Sequence, residues 1–299
     1  MAYLTGTVSN VSDLFSIIKT ACTDNGYTVN SPSGTVSYFT KGSNNTRLEL
    51  FSDSSYLGIR NCQAVPEASP VQPYTRTLPF IGSGLTYHIG IFSNPDMFVL
   101  NLQYASERAV TLFFGNINKT GNSSPIGGGV AFASTQSNNV TQAENFFVLT
   151  NNDLSDGGAT YVNYIPFAHC YNYLSVCGNG LAGNGVWDHG VGRTGGFTAL
   201  LDTSLIYPLF YSPNTWNNQA ILFPIDLVVL LGGNSVAPCG TLPHIFLLRI
   251  DNYNINDVIT IGSDQYKVFT WGKKSMSLGN GDSTPEAHTS AIGYCFKIN

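Results

Sequence analysis

The chain has 299 residues, long enough for two compact domains or one large β domain, and its 43% apolar and 12% aromatic content is that of a folded protein. Only 10% of the residues are charged, against roughly a quarter in an ordinary soluble domain. The net charge of −5 and 13 scattered basic residues exclude the electrostatic footprint of a nucleic-acid binder.

In place of charge, Asn, Ser, Thr, Gly and Tyr must solvate the surface. A polar, uncharged, Tyr-rich surface suits broad contact with proteins or sugars, where desolvating Lys or Glu would be costly. The opening "MAYLTGTVSNVSDLF" lacks a basic stretch followed by a long apolar run. No secretory signal is read there, and synthesis in a cytoplasm is the expectation.

The first element in chain order is a helix. Val11, Leu14, Phe15, Ile18, Ala21 and Cys22 recur at helical spacing and predict one apolar stripe over about residues 10–25. Asn10 or Ser12 can cap its start, and Asn25-Gly26 supplies a left-handed stop. The runs "GYTVN", "TVSYFTKG", "TRLELF" and "YLGIRNCQAV" follow, rich in β-branched and aromatic residues and separated by turn formers. They predict a small antiparallel sheet, so residues 1–75 read as a helix-plus-sheet unit.

From residue 76 to 299 the pattern is almost wholly β. "TYHIGIFS", "MFVLNLQY", "AVTLFFGNI", "FFVLT", "TYVNYIPF", "AILFPIDLVVLL", "IFLLRI", "VITIGSDQYKVFTW" and "AIGYCFKI" each read as strands, with Gly262-Ser263-Asp264-Gln265 as a hairpin turn. Residues 116–145 and 178–200, rich in Gly, Asn and Ser, read as long loops that make contacts. The fold class expected is therefore α+β, predominantly antiparallel β, with a β-sandwich-like or barrel-like larger part. The longest apolar run, Ile221 to Leu231, is interrupted by Pro224 and Asp226 and is too short for a membrane span of about 20 residues. No membrane insertion is expected.

Several motifs invite chemistry. Gly178, Gly180 and Gly183 spell the spacing of a dinucleotide loop, but Gly185, Gly190 and Gly192 break the helix whose N-terminus would hold the pyrophosphate. Asp188 and His189 beside Trp187, with His169 and Cys170 upstream, lack the spacing of a metal site or a catalytic triad. Asp153 and Asp156 sit in "NNDLSDGG", which reads as turn. Cys22, Cys62, Cys170, Cys177, Cys239 and Cys295 form no C-x-x-C pair and read mostly as buried thiols. No catalytic residue, metal or cofactor is assigned.

Tyr161, Tyr164, Tyr171 and Tyr173, near Phe167, form an aromatic-dense segment. With Trp187 and Trp216 they are the candidate interface or ligand-facing aromatics. Such residues can bury at a core or subunit interface, or stack on sugar rings.

Three stretches in order carry a resemblance. They are "LTGTVSNVSDLFSIIKTACTDNGYTV", "AVTLFFGNINKTGNSSPIGGGVAF", and "SPNTWNNQAILFPIDLVV" followed by "TLPHIFLLRIDNYNINDVITIGSDQYKVFTWGKK" and "SAIGYCFKI". Together they resemble structural proteins of the tail, neck and baseplate modules of tailed bacteriophages. The resemblance implies a non-enzymatic virion component, assembled in the host cytoplasm into a ring with copies of itself and with other tail or neck proteins. A receptor- or carbohydrate-binding tail protein facing a host-surface glycan is the alternative. A tail-associated glycan hydrolase is a third.

Overall fold

The computed structural model describes residues 1–41, 44–50, 56–61, 76–79, 83–105, 108–119, 129–133, 174–177, 186–188, 197–198, 221–232, 235–250, 252–270 and 292–299. Strand β1 (Ala2–Val8) leads into the single described helix, α1 (Val11–Asp24). Asn10 caps it: its backbone is extended and its side-chain oxygen accepts from the Asp13 amide at 2.8 Å. At the other end the chain turns through Gly26 at φ 82°, the left-handed stop expected of it. All six stripe residues are buried.

Strands β2 (Thr28–Ser33), β3 (Val36–Lys41), β4 (Asn44–Leu50), β5 (Tyr56–Asn61) and β6 (Arg76–Pro79) form an N-terminal meander in spatial order β2-β3-β4-β5-β6. Next come β7 (Leu85–Phe92), β8 (Met97–Ala105) and β9 (Arg108–Asn116), then the short β10 (Asn118–Lys119) and β11 (Gly129–Ala133). Beyond these lie β12 (Leu174–Cys177), β13 (Val186–Asp188) and β14 (Phe197–Thr198). Strands β15 (Phe223–Gly232), β16 (Ser235–Arg249), β17 (Val258–Ile261), β18 (Asp264–Thr270) and β19 (Ile292–Lys297) complete the order. Every described pairing is antiparallel.

In the central sheet, β1-β7-β8-β9-β11-β12-β13, the strands β7, β8 and β9 are covered on both faces. One alternation of its strands, including Leu85, Ile89, Ile91, Phe98, Leu100, Leu112 and Phe114, packs on α1 and on Phe39, Leu48, Leu57 and Ile59 of the N-terminal meander. Phe114 is the hinge of that face, stacked on Phe98 at 4.7 Å and met by Phe39 at 5.5 Å and Tyr27 at 5.9 Å. The other alternation meets the C-terminal sheet, β14-β15-β16-β19-β18-β17. Here Phe92 contacts Phe296 edge-on, His88 lies 5.2 Å from Phe269, and Phe269 stacks on Phe296 at 4.8 Å. A sheet buried on both faces needs apolar residues in both alternations. That is why "TYHIGIFS" and "MFVLNLQY" read as near-continuous apolar runs.

The fold is thus predominantly antiparallel β with a small N-terminal helix plus sheet, and the sandwich is a three-layer one. Its apolar core joins residues on both sides of position 75, because Val8, α1 and Leu57 share it with Leu85 and Leu100. Within the stretches read as long loops, the structure places β10 and β11 in 116–145, and β13 and β14 in 178–200. The remainder of those stretches lies outside the described residues. So do the runs "FFVLT" and "TYVNYIPF".

Glycine is required at two further positions. Gly115, at φ 154°, lets β9 end against the Asp96 carbonyl, where a Cβ would collide with backbone. Just beyond it, Ile117 is buried and the chain crosses from the central sheet into β10, which pairs with β16. Gly262, at φ 63°, opens the two-residue β17–β18 turn, and Ser263 does not share the positive φ, the pattern of a type II′ hairpin. The expected hairpin is observed with Ile261 opposite Asp264.

Ile18 is fully buried where α1 meets both sheets. Replacing it with alanine is expected to cost about 3 kcal/mol, read as a lowered urea midpoint with unchanged slope. An unchanged midpoint would show that α1 does not contribute to this core.

Candidate functional site

Two polar clusters stand out among the described residues, and both sit where layers meet. The first begins with His88 on β7, whose side chain points from the central sheet toward the C-terminal sheet and is 4% exposed. Its Nδ1 lies 2.8 Å from the Tyr3 hydroxyl and 3.1 Å from Thr5 Oγ1, both on the adjacent edge strand β1. Thr5 donates its one hydroxyl hydrogen to the Tyr87 carbonyl at 2.9 Å. Toward His88 that oxygen can only accept, whereas the Tyr3 hydroxyl can donate to Nδ1 or accept from it according to the ring tautomer. Among the described residues Nε2 has no hydrogen-bonding partner.

In the charged ring both nitrogens carry a proton, so protonated His88 would hold an N–H at the unpartnered Nε2. Burial disfavours the charge, the Lys267 ammonium repels it, and Gln103 favours it, with the net effect that the pKa falls from 6.5 to about 4. The Gln103 amide is itself engaged with Asn256 in both directions, at 3.3 and 3.1 Å.

Opposite His88 on β8 is Asn101, fully buried. It donates to the Tyr294 hydroxyl at 2.9 Å, and Thr111 on β9 bonds the same hydroxyl at 2.9 Å. Burial pushes the Tyr294 phenol up. Tyr294 comes from β19, so this network fixes one strand of the C-terminal sheet over two strands of the central one. Tyr3 and Lys267 close the flank, with the ammonium 6.0 Å from the ring centre.

The second cluster ties α1 to the central sheet. Lys41 Nζ, at the end of β3, lies 2.9 Å from Asp96 Oδ1 in the β7–β8 turn and donates to the Asn25 carbonyl at 2.9 Å. It also sits 4.9 Å from the centre of the Tyr27 ring. Burial, then the neighbouring Cys22 and Asp96, push the Tyr27 phenol up. Burial likewise raises the Cys22 thiol, with Lys41 opposing. A protonated, buried thiol is a poor nucleophile, so this cluster is a clamp in its geometry. Neither cluster presents an exposed general base beside an activated nucleophile.

Of the sequence candidates, Trp187 is placed on β13 opposite Val176 of β12, and Cys177 lies on β12. Asp188 ends β13. Tyr161, Tyr164, Tyr171, Tyr173 and Trp216 lie outside the described residues, as do His169, Cys170, His189, Asp153 and Asp156. Cys22 and Cys295 are buried free thiols, as read. Among the described residues no group of three or more His, Cys, Asp and Glu is placed to hold a metal ion, and no helix is long and apolar enough to cross a membrane.

Sequence reading passed over His88, Asn101, Lys41 and Asp96. The signal for the first two was a polar residue inside each of two apolar β runs. Lys41 and Asp96 are 55 positions apart (96 − 41) and left no local mark. No protein-family model matches the chain, and no curated protein matches it.

The His88 shift makes stability depend on pH with a definite sign. Between about pH 6.5 and 4 the unfolded chain binds a proton that the folded one refuses, so stability is full above that window and is lost through it on acidification. The contribution is about 3 kcal/mol. His88→Leu is expected to flatten the fall in urea midpoint between pH 7 and pH 4.5; a variant with the wild-type fall would refute the assignment. Separately, Lys41→Met should cost about 2 kcal/mol by leaving Asp96 and the Asn25 carbonyl without their cation, measured by thermal unfolding at neutral pH. No change in midpoint would rule out the clamp.

Proposed function

We propose that the chain is a non-enzymatic structural component of a tailed-phage virion, placed in the tail at the neck, collar or baseplate. It would be assembled in the host cytoplasm through contacts with other tail or neck proteins and with further copies of itself. The observation that carries this reading is the surface chemistry. A chain with 10% charged residues exposes Leu4, Ile221, Val258 and Ile261 among its described positions, a surface inexpensive to desolvate against neighbours.

The three resembling stretches lend further support. They span the β1–α1–β2 opening, the β9–β11 crossing between sheets, and the β15–β19 closing sheet. Two polar clusters, partly buried, that fix layers against one another also suit a subunit whose task is to hold shape. The Gly-, Asn- and Ser-rich stretches at 116–145 and 178–200 are the proposed contacts to neighbouring tail proteins, and their sequence carries few charges for salt to screen.

The dense aromatic segment containing Tyr161, Tyr164, Tyr171 and Tyr173 favours a second reading, a receptor- or glycan-binding tail protein. Position in the particle separates the two. Salt-washed particles from the phage that encodes the chain, analysed by quantitative mass spectrometry and by labelled-antibody electron microscopy, should contain it at a fixed copy number around the tail axis. Location only at distal fibre tips would favour the adhesin, and absence from washed particles would overturn both.

A further inference from the structure

We infer that β1 is a self-association edge, through which the central sheet pairs with the central sheet of a second copy of this chain. The argument starts from the row of unpaired N–H and C=O groups that any edge strand presents, a hazard that proteins blunt with short strands, charges, prolines or bulges. The three sheets offer six edges among the described residues. On the N-terminal meander, β2 carries Pro32 and a register irregularity between Asn30 and Ser33, and β6 has four residues including Arg76 and Pro79. On the C-terminal sheet, β14 has two residues, and β17 has four and follows Asp257. At the far side of the central sheet, β13 has three residues and ends in Asp188.

Strand β1 has none of these devices. Its seven residues, Ala2–Val8, contain no charge and no proline, and they pair with β7 in unbroken register from Ala2 opposite Ile91 to Val8 opposite Leu85. It is anchored, since Val8 is buried and Tyr3 and Thr5 bond His88, and yet Leu4 at its middle is 38% exposed. The strand is also covered where a glycine would weaken it. The Tyr87 ring lies over Gly6, where a Cβ would meet the phenol ring.

The occupant follows from the same comparison. Edge-to-edge pairing needs an unguarded strand of similar length on both partners, and among the described edges of this chain β1 answers only to another β1. Antiparallel pairing across a two-fold axis makes the two strands equal in length by symmetry and brings no like charges together. This contact supplies one interface of the self-assembly proposed above, but it does not depend on the particle being a phage.

Sedimentation velocity over a wide concentration series tests it on the full chain. The wild type should approach twice the monomer mass. Leu4→Lys, which adds the missing guard charge at an exposed position, should stay at monomer mass with an unchanged melting curve, while the control Val258→Lys, on the edge of β17, should still double. Hydrogen exchange on the wild type gives a second readout independent of the variants: amides of β1 should gain protection as concentration rises. A wild type that stays monomeric, a Leu4→Lys variant that still dimerises, or exchange at β1 indifferent to concentration would each overturn the inference. The particle analysis is read separately, so a chain found in virions with a silent β1 edge would fail here alone.

Discussion

Burial of strands β7, β8 and β9 of the central sheet on both faces is the constraint from which the rest of the structure follows. A sheet with one wet face can alternate apolar and polar residues, whereas one with two dry faces must find apolar residues at consecutive positions and must satisfy any polar residue it keeps. Strand β8 shows both consequences. Met97, Phe98, Val99, Leu100 and Leu102 are buried on alternating sides, and the side-chain amide N–H of the polar Asn101 among them donates to Tyr294 from the facing sheet, while its Oδ1 has no partner among the described residues. The N-terminal meander with α1 and the C-terminal sheet are the two covers that this sheet requires.

Polar groups inside such an interface serve geometry more than stability. An apolar contact such as Phe269 on Phe296 tolerates sliding by a fraction of a residue. A hydroxyl shared by Asn101 and Thr111 does not, because displacement would leave buried donors and acceptors unpaired. His88 plays a parallel part at the margin, tying the edge strand β1 to its neighbour through Tyr3 and Thr5. On the opposite face, Lys41 reaches from β3 to Asp96 and to the end of α1. Each layer is therefore registered against the central sheet by at least one directional contact.

Much of the secondary structure was legible from local pattern. The helix, its Asn10 cap, its glycine stop and its six buried residues follow from a period that needs no knowledge of partners. The β17–β18 hairpin follows from Gly262 between alternating runs. Strand β1 was not legible, because "AYLTGTV" has no strong alternation and reads as a lead into the helix. It becomes a strand only through β7, with Ala2 opposite Ile91. The polar clusters were illegible for a related reason. His88 and Tyr3 are 85 positions apart, and Asn101 and Tyr294 are 193 apart.

By itself, then, the amino-acid sequence determined the kinds of element, their order, the predominantly antiparallel β class and the scarcity of charge, since each is set by residue type and by periods of two or 3.6 residues. Only the tertiary structure decided which sheet each strand joins, that β7, β8 and β9 are buried on both faces, and that His88 and Lys41 become fasteners between layers. Those outcomes depend on contacts between distant segments, and a strand's own residues state which of its faces is apolar but not which partner will cover it.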